Sequence, residues 1–231
     1  GLEPAAGGTY FQPFPIAASA RLGDGNRLEY SDGRSTTALA FNQEFRPLPF
    51  SASGRVAGQL ADLVTPVNKD ILVINIAKNL RNMHHLNKRT DGFISYLSDK
   101  SYRKRKTLRL NIPGTDKQVV KKSLEKVFLK YPDIATIFVT GSKSYKIAEN
   151  VNGIGENGVN IIGYDLLDNN VECLKEGKIR FLIGQRPEEQ TYRAIKKLFE
   201  YLSLKKMPDK LDYLPVDIVT SENVDFFINS R

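Results

Sequence analysis

Two polar side chains, Asp165 and Gln185, each follow an apolar segment with the composition of a buried strand. A carboxylate accepts hydrogen bonds, whereas a carboxamide both donates and accepts them. Side chains of these two types, held at the ends of neighbouring strands, can bind the hydroxyl groups of a small molecule. The elements between residues 160 and 195 are therefore the first to consider, since they must position both groups.

Apolar strands that alternate with amphipathic helices occupy the chain from Asp70 onwards. The segment from Asp70, DILVINIA, is apolar almost throughout, which is typical of a parallel strand covered on both faces. A regular alternation of strand and helix indicates right-handed βαβ units. The pattern thus predicts an α/β fold with a parallel sheet and helices on both faces. Strands are expected at 70–77, 106–112, 134–139, 159–164, 179–183 and 215–220, and helices at 54–64, 84–97, 119–131, 144–150, 167–176 and 187–204.

The first 52 residues have a different composition, rich in Gly, Pro, Ser and Ala and without helical periodicity. A turn signal at residues 31–34 separates 27–30 from 36–41, and the two flanking segments could pair as a hairpin. This region does not continue the strand and helix alternation.

Open parallel sheets bind ligands where loops follow the carboxyl ends of the strands. The polar positions at these ends lie within residues 75–79, 113–116, 140–142, 165 and 185–186. They include neither a glycine-rich phosphate loop nor a GKS or GKT sequence. We therefore expect a site for a neutral, hydroxyl-rich molecule. Its candidate residues among the strand ends are Asn79, Gly141, Ser142, Asp165 and Gln185.

Composition narrows the class of protein. The net charge of +8 would suit a nucleic-acid partner, but basic runs such as residues 103–106 are typical of solvated loops, and no DNA-reading motif accompanies them. The single cysteine excludes a disulfide framework, and with only two histidines a structural zinc site is not expected. No cofactor is expected.

The chain has no membrane-spanning run and no secretory leader at its start, which predicts a cytoplasmic or already processed protein.

Simpler roles are open for several of these residues. Asp165 could cap the helix at 167–176, which Asp does well, and Gln185 could bond backbone at a hinge. Arg89 could bridge carboxylates such as Asp91 on its own helix. Cys173 lies in the middle of a predicted helix and is expected to be buried in the core.

Catalytic and metal roles fit the residues less well. Adjacent helical side chains such as His84 and His85 diverge by about 100°, so a position at the helix start or the cleft edge is preferred to metal binding. Ser142 has no nearby base with an orienting acid, so nucleophilic catalysis is not expected. The sequence predicts a binding protein rather than an enzyme.

The order of three short motifs resembles the effector-binding domain of the lactose and galactose repressor family, in its Bacteroides-type variant. This family is related to the periplasmic sugar-binding proteins. The resemblance covers residues 53–231 and rests on Lys88-Arg89-Thr90-Asp91-Gly92-Phe93, on Gly163-Tyr164-Asp165, and on Gln185-Arg186-Pro187-Glu188-Glu189-Gln190. At residues 141–142 the family often has Asn-Asp, whereas this chain has Gly-Ser.

The resemblance implies a two-lobed clamp that closes on a sugar or sugar derivative. It would give Arg89 and Asp165 as partners of sugar hydroxyls, paired with each other before ligand arrives, and Gln185 near the hinge. It also implies a cytoplasmic transcriptional regulator that works as a homodimer and contacts DNA only through a helix-turn-helix head, which this chain lacks. The alternative is an exported, monomeric solute-binding protein of a sugar transporter, and no membrane partner is expected in either case.

The resemblance also implies a division into lobes. Residues 1–64 would form a reduced or atypical amino-terminal lobe and 65–186 the carboxy-terminal ligand-binding lobe. Residues 187–204 would return to the first lobe, and 205–231 would form a final strand and tail. The apolar stripes of helices 54–64 and 187–204 then need a cover. It could come from the first fifty residues, from a second chain, or from a part of the parent protein that this chain lacks.

Overall fold

The structure is a computed structural model that describes residues 28–31, 36–39, 51–78, 83–98, 105–151, 158–209, 212 and 214–229. The predicted hairpin is present: strands β1 (Leu28–Ser31) and β2 (Thr36–Leu39) pair in antiparallel register, with Leu28 opposite Leu39. The remaining elements form one α/β unit.

A six-stranded sheet organises this unit, in the order β4-β3-β5-β6-β7-β8. Its strands are parallel except for β8, which runs antiparallel to β7. Their bounds are β3 (Asp70–Ile76), β4 (Thr107–Ile112), β5 (Ile134–Val139), β6 (Asn160–Tyr164), β7 (Phe181–Gly184) and β8 (Asp217–Val219).

Helices cover both faces of the sheet, as the sequence predicts. They are α1 (Ser51–Val64), α2 (His84–Ser98), α3 (Lys117–Lys130), α4 (Ser144–Val151), α5 (Asp168–Lys175), α6 (Pro187–Leu204) and α7 (Val224–Asn229). Buried side chains of α1 and α2 share one core cluster with the sheet, and those of α3, α4, α5 and α7 share the other. Between the two clusters, residues 71–74 of β3 are fully buried, which explains the uninterrupted apolar run of that strand.

The sheet contains a point where the strand order reverses. The chain passes from β3 to β4 on one side and then crosses back to β5 on the other side of β3. The helices that follow β3 and β5 therefore pack on opposite faces, and the loops before them separate. A crevice at the carboxyl ends of the strands follows from this topology.

The carboxy-terminal part differs from the predicted elements. Ile179 is buried but closes the turn after α5, because its backbone amide donates to Cys173 O at 3.1 Å, and β7 therefore begins at Phe181. The last strand is shorter than predicted. Helix α7 was not predicted, since six residues are too few to show a helical period.

Helices α1 and α6 both carry the apolar stripes that the sequence predicts, but they differ in burial. In α1, Leu60 is 7% exposed and packs with Ala57 and Ala61 between α2 and the sheet. Among the described residues α6 has none that is buried, and its Phe199 is 61% exposed. The stripe of α1 is therefore covered within this unit, whereas that of α6 is not.

Candidate functional site

A cleft of about 1080 Å³ lies at the carboxyl ends of β6 and β7. Its walls combine acidic, basic, amide and aromatic groups from the ends of strands and the starts of helices. The lining residues are His85, Arg89, Ser142, Asp165, Leu166, Leu167, Gly184, Gln185, Arg186, Pro187, Glu188, Glu189, Gln190, Asp217, Phe226 and Phe227.

Gln185 links the two charged groups that the sequence places in the site. Its Oε1 accepts a hydrogen bond from Arg89 Nη2 at 2.6 Å, and its Nε2 donates to Asp165 Oδ1 at 2.5 Å. The carboxamide can satisfy both neighbours only in this orientation, because guanidinium is a donor and carboxylate an acceptor. The expected direct pairing of Arg89 with Asp165 is thus replaced by a bridge through Gln185. We call Arg89, Gln185 and Asp165 the cleft floor.

Arg89 is held from three sides. It is 4% exposed, its Nη1 donates to Thr140 O at 2.6 Å, and its guanidinium lies 3.9 Å from the centroid of the Tyr164 ring. Tyr164 packs on Phe138, which stacks on Phe93 at 4.4 Å. The arginine of the floor is therefore seated on an aromatic column that runs into the core of the α1 and α2 face.

Burial shifts the titration of the groups around this column. It lowers the pKa of Arg89, although Tyr164 and Asp165 act in the opposite direction, and an arginine remains charged at neutral pH. Burial also raises the pKa of Tyr164 to about 12. The floor consequently presents a fixed cation over a neutral phenol.

Asp165 occupies a strained turn. Its φ is 68°, in the left-handed region that costs most non-glycine residues about 1 kcal/mol and that Asp tolerates better than most. The backbone amide of Asp165 donates to Ile183 O at 3.0 Å, which fixes the turn to β7. Because the N-cap of α5 is Leu167, the alternative role of Asp165 as that helix cap is wrong.

Asn170, in the first turn of α5, ties this turn to the loop after β5. Its Nδ2 lies 2.7 Å from Ser142 O, 3.0 Å from Tyr164 O and 3.0 Å from Asp165 O, and its Oδ1 accepts from the Tyr145 backbone amide at 2.9 Å. The side chain is fully buried. Sequence reasoning missed it, since an Asn near a helix start reads as a surface residue.

Close packing at Gly163 supports the same loops. A Cβ at this position would lie 1.9 Å from Ser144 Oγ, so any larger residue would displace the start of α4. Gly163 therefore lets β6 approach α4 closely enough for Ser142 and Asp165 to share one cleft wall.

His85 stands at the cleft edge, and its neighbour His84 is the first residue of α2, in agreement with the roles preferred from the sequence. Burial and the Arg89 guanidinium lower the pKa of His85, while Asp165 opposes them. At neutral pH this imidazole is uncharged, with one nitrogen able to donate and the other to accept a hydrogen bond.

The outer edge of the cleft consists of ion pairs, which we call the rim: Arg186, Asp217, Glu189 and Arg193. Arg186 Nε and Nη2 donate to the two carboxylate oxygens of Asp217 at 2.6 and 2.8 Å. Glu189 accepts from Arg186 at 3.3 Å and from Arg193 at 2.5 Å. The rim connects β8 to the start of α6 and is much more exposed than the floor, with the Arg186 side chain 42% exposed.

The structure brings together four of the six predicted site residues, Arg89, Ser142, Asp165 and Gln185. Gly141 precedes Ser142 in the same loop but does not line the cleft, and a Cβ added to it would lie 3.7 Å from Leu86. Asn79 lies outside the described residues. Phe226 and Phe227 were not predicted as cleft residues, because the helix that carries them was not predicted.

The described residues contain no cluster of His, Cys, Asp and Glu side chains that could hold a metal ion. They also contain no helix that is long and apolar enough to cross a membrane.

Comparisons with known proteins agree with this architecture. Residues 49–206 match the family model of the periplasmic binding protein domain. No curated protein matches the chain. Among solved structures, one similar protein is assigned as a LacI transcriptional regulator from Bacteroides fragilis, with 30% identity and a TM-score of 0.69 over 78% of this chain and 62% of that one.

Two further similar structures are transport proteins. One is a periplasmic ribose ABC transporter protein from Conexibacter woesei, with 14% identity and a TM-score of 0.68 over 79% of this chain and 60% of that one. The other is an ABC transporter solute-binding protein from Agrobacterium vitis bound with α-D-tagatopyranose, with 19% identity and a TM-score of 0.66 over 78% and 60%. The chain thus spans less than two thirds of the length of these three structures.

Proposed function

The chain belongs to the periplasmic binding protein domain family, and on this basis we propose that its cleft binds a sugar or sugar derivative and that binding changes the orientation of α6. The protein acts as a ligand sensor and not as an enzyme. Asp165, Gln185 and Ser142 face the ligand, and Arg89 holds Gln185 and the loop after β5 in place beneath it.

The hydrogen-bonded floor is the observation that carries the proposal. Asp165 and Gln185 are part-buried, border the cleft and combine a charged acceptor with an amide donor and acceptor. Each hydroxyl group of a sugar can donate one hydrogen bond and accept others, so it can donate to the Asp165 carboxylate and accept from the Gln185 amide. Hydrogen bonds to a charged group also contribute more than those between neutral groups.

A ligand that bonds to Asp165 must replace the hydrogen bond between Gln185 and Asp165. Gln185 Nε2 already donates to Asp165, so a sugar hydroxyl that donates to this carboxylate competes with Gln185. Gln185 O also accepts a hydrogen bond from Gln190 Nε2 in the first turn of α6. A shift of Gln185 is therefore transmitted to a helix that has no buried residue, and a ligand that prefers the shifted state moves the equilibrium towards it.

The first candidate for the whole protein is a transcriptional regulator. Of the structures compared above, the one assigned as a LacI regulator has the greatest identity to this chain. In this version the domain is cytoplasmic, pairs as a homodimer, and passes the movement of α6 to a separate helix-turn-helix head that contacts DNA.

The second candidate is the solute-binding component of a sugar transporter. The similarity to a periplasmic ribose ABC transporter protein and to a solute-binding protein bound with α-D-tagatopyranose favours it, and the proposed cleft chemistry is the same in both cases. The regulator version predicts a dimer in solution, and the transport version predicts a monomer at every concentration. Sedimentation velocity over a range of concentrations separates them.

Thermal unfolding with and without sugars tests the shared part of the proposal. The probes are D-ribose, D-tagatose, D-galactose, D-glucose and L-arabinose, with glycerol as the hydroxyl-bearing control. A ligand at a hundredfold excess over its Kd stabilises the folded state by about 2.7 kcal/mol. For a chain of this size the melting temperature should then rise by about 5–10 °C. If every sugar leaves the melting temperature where glycerol leaves it, the proposed class of ligand is wrong.

A further inference from the structure

Asn170 makes contacts that a residue in the first turn of a surface helix does not need for its own helix. The N-cap of α5 is Leu167, so Asn170 is not the cap. Its side chain is fully buried and points away from α5 towards two separate loops. These loops carry Ser142 and Asp165, which both line the cleft.

The bonds of Asn170 use both ends of its carboxamide. The Nδ2 group lies within 3.0 Å of three backbone carbonyls, those of Ser142, Tyr164 and Asp165, so its two hydrogens are shared among three acceptors. The Oδ1 atom accepts from the Tyr145 amide at the start of α4. One side chain thereby bonds to the loop after β5, to the start of α4, to the end of β6 and to the turn that follows β6.

The turn after β6 needs such support. Asp165 has a φ of 68°, and a left-handed residue other than glycine persists only where its surroundings hold it. Two carbonyls that flank this φ angle, those of Tyr164 and Asp165, both bond to Asn170. Losing those bonds would let the turn relax and move the carboxylate out of the cleft.

We propose that Asn170 is the positioning residue of the sugar site, which holds the Ser142 loop and the Asp165 turn at the spacing that a ligand requires. It does not contact the ligand itself. This inference rests on the proposed function for the identity of the ligand. Whether Asn170 holds the two loops in place can be measured without any ligand.

The chemistry permits few replacements. Asn170→Asp retains the size of the side chain and the Oδ acceptor for Tyr145, but it replaces a donor by a carboxylate that faces three carbonyl oxygens. Asn170→Ala removes all four bonds and leaves a small cavity. The two variants therefore fail for different reasons, and each can be analysed if the other does not fold.

Asn150 offers a matched control. It is also a buried asparagine on a short helix, but its Nδ2 donates to Lys146 O at 2.8 Å within α4 and not to a cleft loop. Asn150→Asp and Asn150→Ala should also lower the melting temperature, by less than the Asn170 variants because one bond is lost, and should not alter the cleft. Comparing the pairs separates a positioning role from a general loss of stability.

Two measurements are made on the four variants and the wild-type chain. Calorimetric titration with D-ribose, D-tagatose, D-galactose, D-glucose and L-arabinose gives the Kd of each sugar that binds. Hydrogen exchange gives the protection of the amides in residues 141–145 and 164–167, with the amides of β3 as the internal reference. We expect both Asn170 variants to raise the Kd by about tenfold or more and to speed exchange in those two segments by about as much, relative to β3.

The outcomes are distinguishable. Wild-type Kd values in both Asn170 variants would overturn the inference, and so would exchange that accelerates equally in β3 or equally in the Asn150 variants. If no sugar binds the wild-type chain, the proposed function fails, and the exchange data alone decide whether Asn170 holds the two loops.

Discussion

The floor and the rim of the cleft are built from similar residues but in different physical settings. In the floor, a buried guanidinium bonds to neutral oxygens and rests on an aromatic ring. In the rim, a guanidinium that is 42% exposed bonds to carboxylates, one of which, Asp217, is 11% exposed. Arg89 and Arg186 therefore have comparable hydrogen-bond distances, yet they should contribute very differently to the fold and to binding.

The two arginines differ in the acceptor atoms that each would leave without a donor if it were replaced. A buried acceptor that loses its donor keeps the full cost of its desolvation, about 1–3 kcal/mol, whereas an exposed one exchanges its partner for water. Exposed ion pairs contribute only about 0–1 kcal/mol. The number of hydrogen bonds is thus a poor guide to how much an arginine contributes to stability, and its burial is a better one.

Arg89→Leu should have the largest effect on stability. The variant leaves Thr140 O and Gln185 Oε1 without their donor, so we expect a loss of about 3 kcal/mol in the free energy of unfolding, measured by urea titration. Arg55→Leu is the matched control. Arg55 is also an arginine over a tyrosine ring, with its Nη1 donating to Ser95 Oγ at 3.1 Å, but it is exposed on α1. A loss in the control as large as that of Arg89→Leu would contradict the ranking by burial.

Gly163→Ala should be the next most damaging change, because its Cβ would lie 1.9 Å from Ser144 Oγ and 2.5 Å from Ser144 Cβ. Overpacking of this kind costs about 1–3 kcal/mol. The double variant Gly163→Ala with Ser144→Gly should recover part of the loss, because it removes both clashing atoms. Gly141→Ala, with its nearest contact at 3.7 Å, should change the urea midpoint very little. Additive losses in the double variant would show that the clash is not the cause.

Arg186→Ala tests the rim and should cost about 1 kcal/mol, since the Arg186 side chain is 42% exposed, although the Asp217 carboxylate that it leaves behind is only 11% exposed. The hydrogen bonds to Asp217 raise the pKa of Arg186, which shows that the pair is attractive, but salt screens such a pair. We expect the stability difference from wild type to shrink as salt rises from about 0.05 to about 0.5 M. A salt-independent loss would indicate that the rim is held by packing and not by charge.

His85→Gln should give the smallest effect, which should appear only at acid pH. Since the folded state lowers the pKa of His85 below the ordinary 6.5, the unfolded chain binds a proton first as pH falls. The contribution of His85 to stability is therefore complete above about pH 6.5 and is lost progressively below it. The stability curves of wild type and His85→Gln should differ more at about pH 5 than at about pH 7.5, with wild type losing more. Parallel curves would exclude His85 as the titrating group, and His84→Gln is the control.

Much of the sheet was predictable because burial on both faces leaves a local signature. The apolar run from Asp70 indicated a covered parallel strand, and β3 is that strand. Because the carboxyl ends of parallel strands meet at one edge of the sheet, Asp165, Gln185 and Ser142 were predicted to lie together. The structure brings them into one cleft. These inferences need only the period of the sequence and the geometry of parallel sheets.

The bonds within the site were not predictable in the same way. The family resemblance implied a direct pairing of Arg89 with Asp165, but in the structure Gln185 bridges them. Asn170 was overlooked, since the four groups that it contacts are backbone atoms and backbone atoms have no sequence signature. Side chains that serve the backbone of distant loops can be recognised only when those loops are seen together.

Helices α1 and α6 show that helical periodicity does not predict whether an apolar face is buried. Both stripes were predicted correctly as apolar, yet Leu60 is buried and Phe199 is exposed. Periodicity shows which face of a helix is apolar, but the position of its cover depends on distant parts of the chain. The predicted division into lobes at residues 64, 186 and 204 stays a prediction.

The central claim is that Asp165 binds the hydroxyl groups of a sugar, and calorimetric titration of Asp165→Ala tests it most directly. Asp168→Ala is the control, since this carboxylate lies three residues further on, exposed at the start of α5. For whichever probe sugar binds wild type, Asp165→Ala should raise the Kd by about a hundredfold, which corresponds to about 3 kcal/mol for a charged hydrogen-bond partner. Asp168→Ala should leave the Kd within about twofold. Equal Kd values for wild type and a folded Asp165→Ala variant would remove Asp165 from the site and contradict the account.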